Sequence, residues 1–148
     1  MEKLLDTGVV ETGWPTEMFW PVVTRMFIIV ADLVVKSETF ANKPIDFLDD
    51  VIVKERVKNV GLLIRYSRDA LCHVESSNHM LDKGSYFSFN VSRGQSDFIK
   101  IEESAVEIPP SEYADDIAFF FGAQRVYYRR HLLRAFRESA ANLEPLIK

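Results

Sequence analysis

The side chains best suited to chemistry stand close together in residues 65–75, which read "RYSRDALCHVE". Arg68 and His73 lie five residues apart in a chain that has 3 histidines, and Asp69 directly follows the arginine. A histidine titrates near neutral pH and can move a proton, whereas an arginine stays charged and presents a planar set of donors. The spacing alone leaves open whether this is a catalytic pair or a coincidence.

Length and composition predict a single domain with a real core. The chain has 148 residues, of which 47% are hydrophobic and 12% aromatic, so we expect one domain over 1–148 with a loosely packed lead-in at 1–15. Cys72 is the single cysteine, which favours a reducing compartment. No stretch has the pattern of a signal peptide, and "MFIIVADLVV" is shorter than a membrane span. We therefore expect a cytoplasmic protein that does not contact a membrane.

The charge is unevenly distributed along the chain. The formal net charge is -4, yet residues 125–137 contain five arginines and His131 without any acidic residue. An acidic body with one basic segment can meet an anion at a single place, or the basic segment can pair with the acidic surface of the same chain.

Two amphipathic helices are expected in the first half of the chain. Apolar residues recur at helical spacing in 21–36, although the many β-branched residues there leave a strand possible. A second helix is expected from Asp46 onward, with an apolar stripe formed by Val53, Val57, Val60, Ile64 and Leu71. Gly61 is expected to mark a kink or a boundary within it.

The second half combines a hairpin and a long helix in this interpretation. Residues 85–101 alternate apolar and polar side chains around "SRGQSD", which predicts a β-hairpin. A last helix is expected from Ser111 to about Ala141. Opposite the stripe that faces the core, this helix has a second apolar stripe formed by Phe119, Val126 and Leu133. This stripe is either the second buried side of a central helix or a homodimer interface.

The pattern Arg68-Asp69-x3-His73 resembles the motif of the HEPN superfamily of nucleotide-binding and ribonuclease domains. In that family an arginine precedes a histidine by four to six residues, usually with a polar residue after the arginine, and "SRDALCH" is similar to family sequences such as "LRNAIAH". Arg125 and His131 also satisfy the loose spacing, but Val126 follows that arginine, so we interpret this second match as chance. The resemblance implies a mainly α fold: a helical bundle with one inserted β-hairpin before a long C-terminal helix.

The chemistry that the resemblance implies is RNA cleavage without a metal ion or other cofactor, yielding a cyclic phosphate and a free 5′-hydroxyl. His73 would take a proton from the ribose 2′-hydroxyl or give one to the leaving oxygen, and Arg68 would bind the phosphate oxygens. Asp69 could orient the imidazole or raise its pKa, unless its carboxylate forms an ion pair with Arg65 instead. Arg65 and Arg130 are candidate supporting phosphate ligands.

Helix geometry adds a condition to this hypothesis. Five residues along a straight helix turn a side chain by about 140°, so Arg68 and His73 converge only if the helix ends near Cys72 or a second chain completes the site. The family's usual arrangement is a homodimer cleft. Three hypotheses stay open: an endoribonuclease of toxin-antitoxin or phage-defence type, a non-catalytic domain that binds a nucleotide, RNA or a cognate antitoxin or regulator, and an unrelated helical interaction module.

Overall fold

The computed structural model describes residues 1–12, 16–54, 56–72, 89–97, 99–100 and 107–147. Its α-helices are α1 (Glu2–Leu5), α2 (Val9–Thr12), α3 (Phe19–Ala41), α4 (Val60–Cys72) and α5 (Arg134–Leu143). A π-helical segment, Tyr128–Leu133, leads directly into α5, and a 3-10 turn, Glu144–Leu146, follows it. The mainly α fold class is therefore confirmed. None of the helices in these ranges is long and apolar enough to cross a membrane.

The central helix α3 covers the whole of the segment 21–36 and decides between helix and strand in favour of the helix. Its buried residues recur every three or four positions, as a helix packed on one side requires: Phe19, Val22, Val23, Met26, Phe27, Val30, Ala31 and Val34. The helix ends at Asn42, which adopts a left-handed conformation with φ 53°. There the Lys43 amide donates to the Ser37 carbonyl at 3.1 Å, which closes the last turn.

Helix α4 is shorter than predicted, because the described part of 46–59 is not helical. Asn59 begins the helix by accepting a hydrogen bond from the Leu62 amide through Oδ1 at 2.9 Å. A Cβ on Gly61 would lie 2.5 Å from the Ile45 carbonyl oxygen, so a glycine is needed for this close approach. The boundary predicted at Gly61 thus lies one residue earlier, at the start of α4, and the helix predicted from Asp46 was wrong in its first half.

The strands form a three-stranded antiparallel sheet in the order β1-β4-β5, made by β1 (Phe89–Arg93), β4 (Ile117–Phe121) and β5 (Gln124–Tyr127). Two shorter strands, β2 (Ile99–Lys100) and β3 (Glu107–Ile108), pair with each other. The hairpin predicted over 85–101 is wrong within the described residues, because β1 pairs with β4 and β2 with β3. The segment "SRGQSD" therefore does not form the turn of a hairpin. It extends the chain beyond β1, with Gly94 at φ 74° and a β-bridge between Ser96 and Ser111.

The long C-terminal helix predicted from Ser111 is also wrong over its first half, which forms β4 and β5. Gly122, at φ 58°, and Ala123 make the two-residue turn between Phe121 and Gln124. All five residues of β4 are buried, because both faces of the sheet are covered. A strand of this kind is a continuous apolar run without alternation, and such a run can match helical spacing by accident.

Aromatic side chains fix the sheet on α3. Phe27 makes edge-to-face contacts with Phe119 at 5.7 Å and with Phe121 at 5.3 Å between ring centroids. The opposite face of β4 and β5 is covered by a second, smaller cluster formed by Ile108, Tyr113, Ala118, Phe120 and Tyr127. The sheet therefore lies between the helices on one face and the segment 107–116 on the other.

The second apolar stripe does not form a surface of a helix. Phe119 and Val126 face each other across β4 and β5, and both are fully buried within a single chain. Leu133 lies on the π-helical segment and is buried as well. The interpretation of these three residues as a dimer interface depended on a continuous helix, and the strands remove that basis.

Candidate functional site

The outer side of α4 carries a polar stripe that ends at the predicted motif. Arg65, Arg68 and Asp69 are partly exposed and Cys72 is exposed, all on the side away from the core. The opposite side is buried through Leu63, Ile64, Ser67 and Ala70. The amphipathic pattern of α4 therefore presents the arginines and the aspartate outward.

Arg68 and Asp69 form an ion pair at the end of this stripe. The Arg68 Nε lies 2.7 Å from the Asp69 Oδ1, and the two side chains are 33% and 28% exposed. Within the described ranges, no hydrogen bond or second ion pair occupies the terminal nitrogens of Arg68. The contact is an ion pair by distance, because the Arg68 Nε makes no hydrogen bond within the described ranges, and it leaves the terminal nitrogens of the guanidinium for a ligand.

His73 follows directly on α4 and lies outside the described residues. The pairing of Arg68 with His73 therefore stays a prediction from the sequence. The same holds for an interaction of the Asp69 carboxylate with the imidazole. The structure does place Arg68 and Asp69 in the C-terminal half of α4, five and four residues before His73 in the chain.

Arg65 points toward α3 and not toward Asp69. Its Nη1 lies 3.8 Å from the Glu38 Oε2 of α3, so the carboxylate of Asp69 is available to Arg68. Arg65 and Glu38 stand at the mouth of a cavity of about 150 Å³ between the two helices. Arg65 thus belongs to the polar stripe, one helical turn from Arg68.

Arg130 is held in an acidic and aromatic cluster. Its Nη1 donates to the Asp116 Oδ2 at 2.9 Å, its Nη2 donates to the Asp115 Oδ1 at 3.0 Å, and its guanidinium lies 3.5 Å from the centre of the Tyr113 ring. A phosphate would have to displace these contacts. The geometry therefore gives Arg130 a structural role and offers no support for it as a phosphate ligand.

The basic segment 125–137 is largely neutralised by the chain's own carboxylates. Ion pairs join Arg125 to Glu112, Arg129 to Glu11, Arg130 to Asp115 and Asp116, and Arg134 to Asp49 and Glu138. Of the two outcomes that the sequence left open, the structure shows pairing with the acidic surface. These ion pairs join the π-helical segment and α5 to the rest of the chain.

Sequence reasoning missed Asp116, the most heavily hydrogen-bonded carboxylate in the described chain. Its side chain is fully buried. Oδ1 accepts from the amides of Ile117 and Arg129 at 2.8 Å each, and Oδ2 accepts from the Arg130 amide at 3.2 Å as well as from its Nη1. The carboxylate therefore caps the start of the π-helical segment from 13 and 14 residues upstream, a distance that no local cap pattern reveals.

His131 is a structural histidine. It is fully buried, its Nδ1 accepts from the Tyr127 amide at 3.1 Å, and its Nε2 lies 2.9 Å from the Asp49 carbonyl oxygen, to which it donates. Burial lowers the pKa of His131, so the neutral imidazole fits this arrangement. Arg125, its partner in the loose motif match, donates instead to Pro110 and Glu112. Neither of these two side chains is presented to a substrate.

Comparisons with known proteins add no family to this picture. No protein-family model, no curated protein and no solved structure matches the chain. Among the described residues, no group of three or more histidine, cysteine, aspartate or glutamate side chains could hold a metal ion. Any assignment of function therefore depends on the motif and on the geometry of α4.

Proposed function

We propose that the chain is a HEPN-like endoribonuclease that cleaves RNA without a metal ion, with the site at the C-terminal end of α4. Arg68 binds the scissile phosphate, and His73 transfers the proton. The observation that carries the proposal is the state of Arg68: it is partly exposed, its Nε is ion-paired with Asp69, and its terminal nitrogens have no partner within the described ranges.

The contrast with three arginines of the basic segment 125–137 supports this choice. Arg129, Arg130 and Arg134 each direct a terminal nitrogen at a carboxylate of the same chain. A guanidinium whose terminal nitrogens are unoccupied can bind two phosphate oxygens without first breaking a contact. Arg68 has this arrangement, and it precedes the histidine of the motif by five residues in the sequence.

The proposed reaction is an attack of the ribose 2′-hydroxyl on the adjacent phosphate. His73 accepts the proton of the 2′-hydroxyl or donates one to the leaving 5′-oxygen, because an imidazole is present in both protonation states near neutral pH. Arg68 stabilises the negative charge that develops on the phosphate oxygens. The products are a cyclic phosphate and a free 5′-hydroxyl. Asp69 acts as a positioning residue that fixes the guanidinium.

A homodimer would complete the site in this proposal. Because Arg68 and His73 are about 140° apart on a straight helix, a second copy that presents its own motif would bring an arginine and a histidine together. The exposed stripe on α4 is the surface that such a copy would meet. The toxin or defence role, and a cognate antitoxin, are part of the same proposal.

The test is incubation of the purified chain with single-stranded RNA in EDTA, with product ends mapped. We expect cleavage that leaves cyclic phosphate ends, and we expect Arg68→Ala or His73→Ala to lower the rate at least about 100-fold. Arg25→Ala is the matched control, since Arg25 is an exposed arginine on α3. The far-ultraviolet circular dichroism and melting temperature of each variant check the fold.

Two outcomes would contradict the proposal. If wild type leaves RNA intact over long incubation but binds it, the non-catalytic binding domain is the better description. If Arg68→Ala and Arg25→Ala have equal effects on cleavage, the activity does not come from the α4 site. A monomer in light scattering at micromolar concentration, with full activity, would remove the homodimer from the proposal.

A further inference from the structure

The cavity between α3 and α4 has apolar walls and a polar mouth. Val34, Ile45 and Leu62 line it, and Glu38, Asn59 and Arg65 supply polar atoms. Its volume of about 150 Å³ is below the range of roughly 300–1,000 Å³ that drug-sized ligands use. A cavity of this size suits one planar ring system and not a whole nucleotide.

The polar groups at this mouth keep unused hydrogen-bonding capacity. Glu38 Oε2 and Arg65 Nη1 are 3.8 Å apart, which is too long for a hydrogen bond, so the carboxylate can still accept and the guanidinium can still donate. Asn59 uses its Oδ1 for the Leu62 amide, and its NH₂ group donates to no other described residue. The mouth therefore offers one carboxylate acceptor and two sets of donors.

This combination matches the hydrogen-bonding edges of guanine. Guanine has two adjacent donors, N1–H and the N2 amino group, which a carboxylate can accept together, and two acceptors, O6 and N7, which suit an arginine. Adenine has no pair of adjacent donors of this kind. We propose that the cavity between α3 and α4 binds a guanine base, with Glu38 on its donor edge and Arg65 on its acceptor edge.

The position of the cavity links it to the proposed cleavage site, and this part of the inference rests on the proposed function. Arg65 precedes Arg68 by three residues, which is a rise of about 4.5 Å along α4. A nucleotide with its base in the cavity would thus place a neighbouring phosphate near Arg68. The guanine site would select the position at which the RNA is cut.

The floor of the cavity depends on Gly61. A Cβ at this position would meet three lining residues, at 2.5 Å from the Ile45 oxygen, 3.3 Å from the Val34 Cγ1 and 3.5 Å from the Asn59 Oδ1. A side chain here would push these residues apart and change the shape of the cavity. The glycine therefore allows the walls to stay close enough to hold a flat ring.

Titration calorimetry of the full chain with guanosine and adenosine monophosphates tests the proposal, because the two probes differ only in the base. We expect the guanosine probe to bind at least about tenfold more tightly. Glu38→Gln should lower the affinity for the guanosine probe about tenfold and remove the preference. Asp32→Asn is the matched control: Asp32 lies on the same helix, is 55% exposed against 57% for Glu38, and pairs with Lys36.

The outcomes separate this inference from the proposed function. Equal binding of the two probes, or equal effects of Glu38→Gln and Asp32→Asn, would overturn the guanine site even if the chain cleaves RNA. A guanine preference that Glu38→Gln removes would support the site even if no RNA is cleaved. If both proposals are correct, mapped cleavage sites lie next to guanine in wild type and lose this preference in Glu38→Gln.

Discussion

Replacement of Asp116 by alanine is expected to destabilise the fold strongly. The buried carboxylate accepts hydrogen bonds from three backbone amides and from Arg130, and alanine would leave all of these donors without an acceptor. Breaking a buried ion pair by removing one partner costs about 3–5 kcal/mol. Arg130 keeps its contact with Asp115 and is 30% exposed, so its charge stays partly solvated. We therefore expect the free energy of unfolding to fall by about 3 kcal/mol.

Urea unfolding followed by circular dichroism measures this loss, with an unchanged m-value as the sign that only stability has changed. Asp115→Ala is the matched control, because Asp115 pairs with the same arginine but is 70% exposed, and its loss should cost less than about 1 kcal/mol. Asp116→Asn, which keeps the volume and one acceptor oxygen, should lie between the two. Equal losses for Asp115→Ala and Asp116→Ala would refute the argument that buried hydrogen bonds to the backbone set the magnitude.

Two further predictions concern other described positions. Because burial lowers the pKa of His131 in the folded state, the unfolded chain binds the extra proton first. Stability should therefore fall as pH drops below the unfolded value of about 6.5, by up to about 1.4 kcal/mol per pH unit. His131→Gln, which cannot titrate, should lose less between pH 6.5 and 5.5 in urea unfolding, and identical slopes would contradict this. Asn42 ends α3 at φ 53°, so Asn42→Ala should cost about 1 kcal/mol while Asn42→Gly is close to neutral. Equal melting temperatures for the two would exclude a role for the left-handed backbone.

The helices could be predicted where burial is one-sided. In α3 the buried positions repeat at helical spacing, and the β-branched residues that left a strand possible are tolerated because packing against the core outweighs intrinsic propensity. The start of α4 was harder to place, since Val57 is buried within an irregular segment and so continues the apolar stripe. Asn59 is the sequence signal that would have placed this start, because an N-cap residue just before an apolar run indicates the beginning of a helix.

The C-terminal half could not be predicted from periodicity because the sheet is covered on both faces. Phe119 and Phe121 face α3, and Phe120 faces the second cluster, so the run "IAFFF" has no alternation to recognise. The signal that was available was local: Gly122 and Ala123 separate two apolar runs by two residues, as the turn of a tight hairpin does. That signal outweighs helical spacing, because a glycine is helix-destabilising and favours this turn.

The candidate site was predictable only in part, because contacts between residues far apart in the chain decide which arginines are already paired. Arg68 and Asp69 are adjacent in the sequence and on one exposed side of α4, so a local pattern finds them. Arg130 was proposed as a phosphate ligand from its charge, but its partners Asp115 and Asp116 lie 14 to 15 residues away along the chain. Whether an arginine is free or already paired depends on such long-range contacts. The sequence shows the charge, and the fold determines where that charge is used.

The pairing of the arginines leads to a last prediction, on the salt dependence of RNA binding. Most arginines of the segment 125–137 are paired with carboxylates of the chain, and Arg65 is assigned to the guanine base, so Arg68 is the phosphate-binding cation of the site. One phosphate contact on a single strand gives a slope of about -0.7 for the logarithm of affinity against the logarithm of salt concentration, or about -1.4 for a two-chain site. Fluorescence anisotropy with labelled single-stranded RNA between 50 and 200 mM salt measures this slope. A slope of -4 or steeper would mean that the basic segment gives up its carboxylate partners to bind RNA, and the α4 stripe alone would then no longer account for the interface.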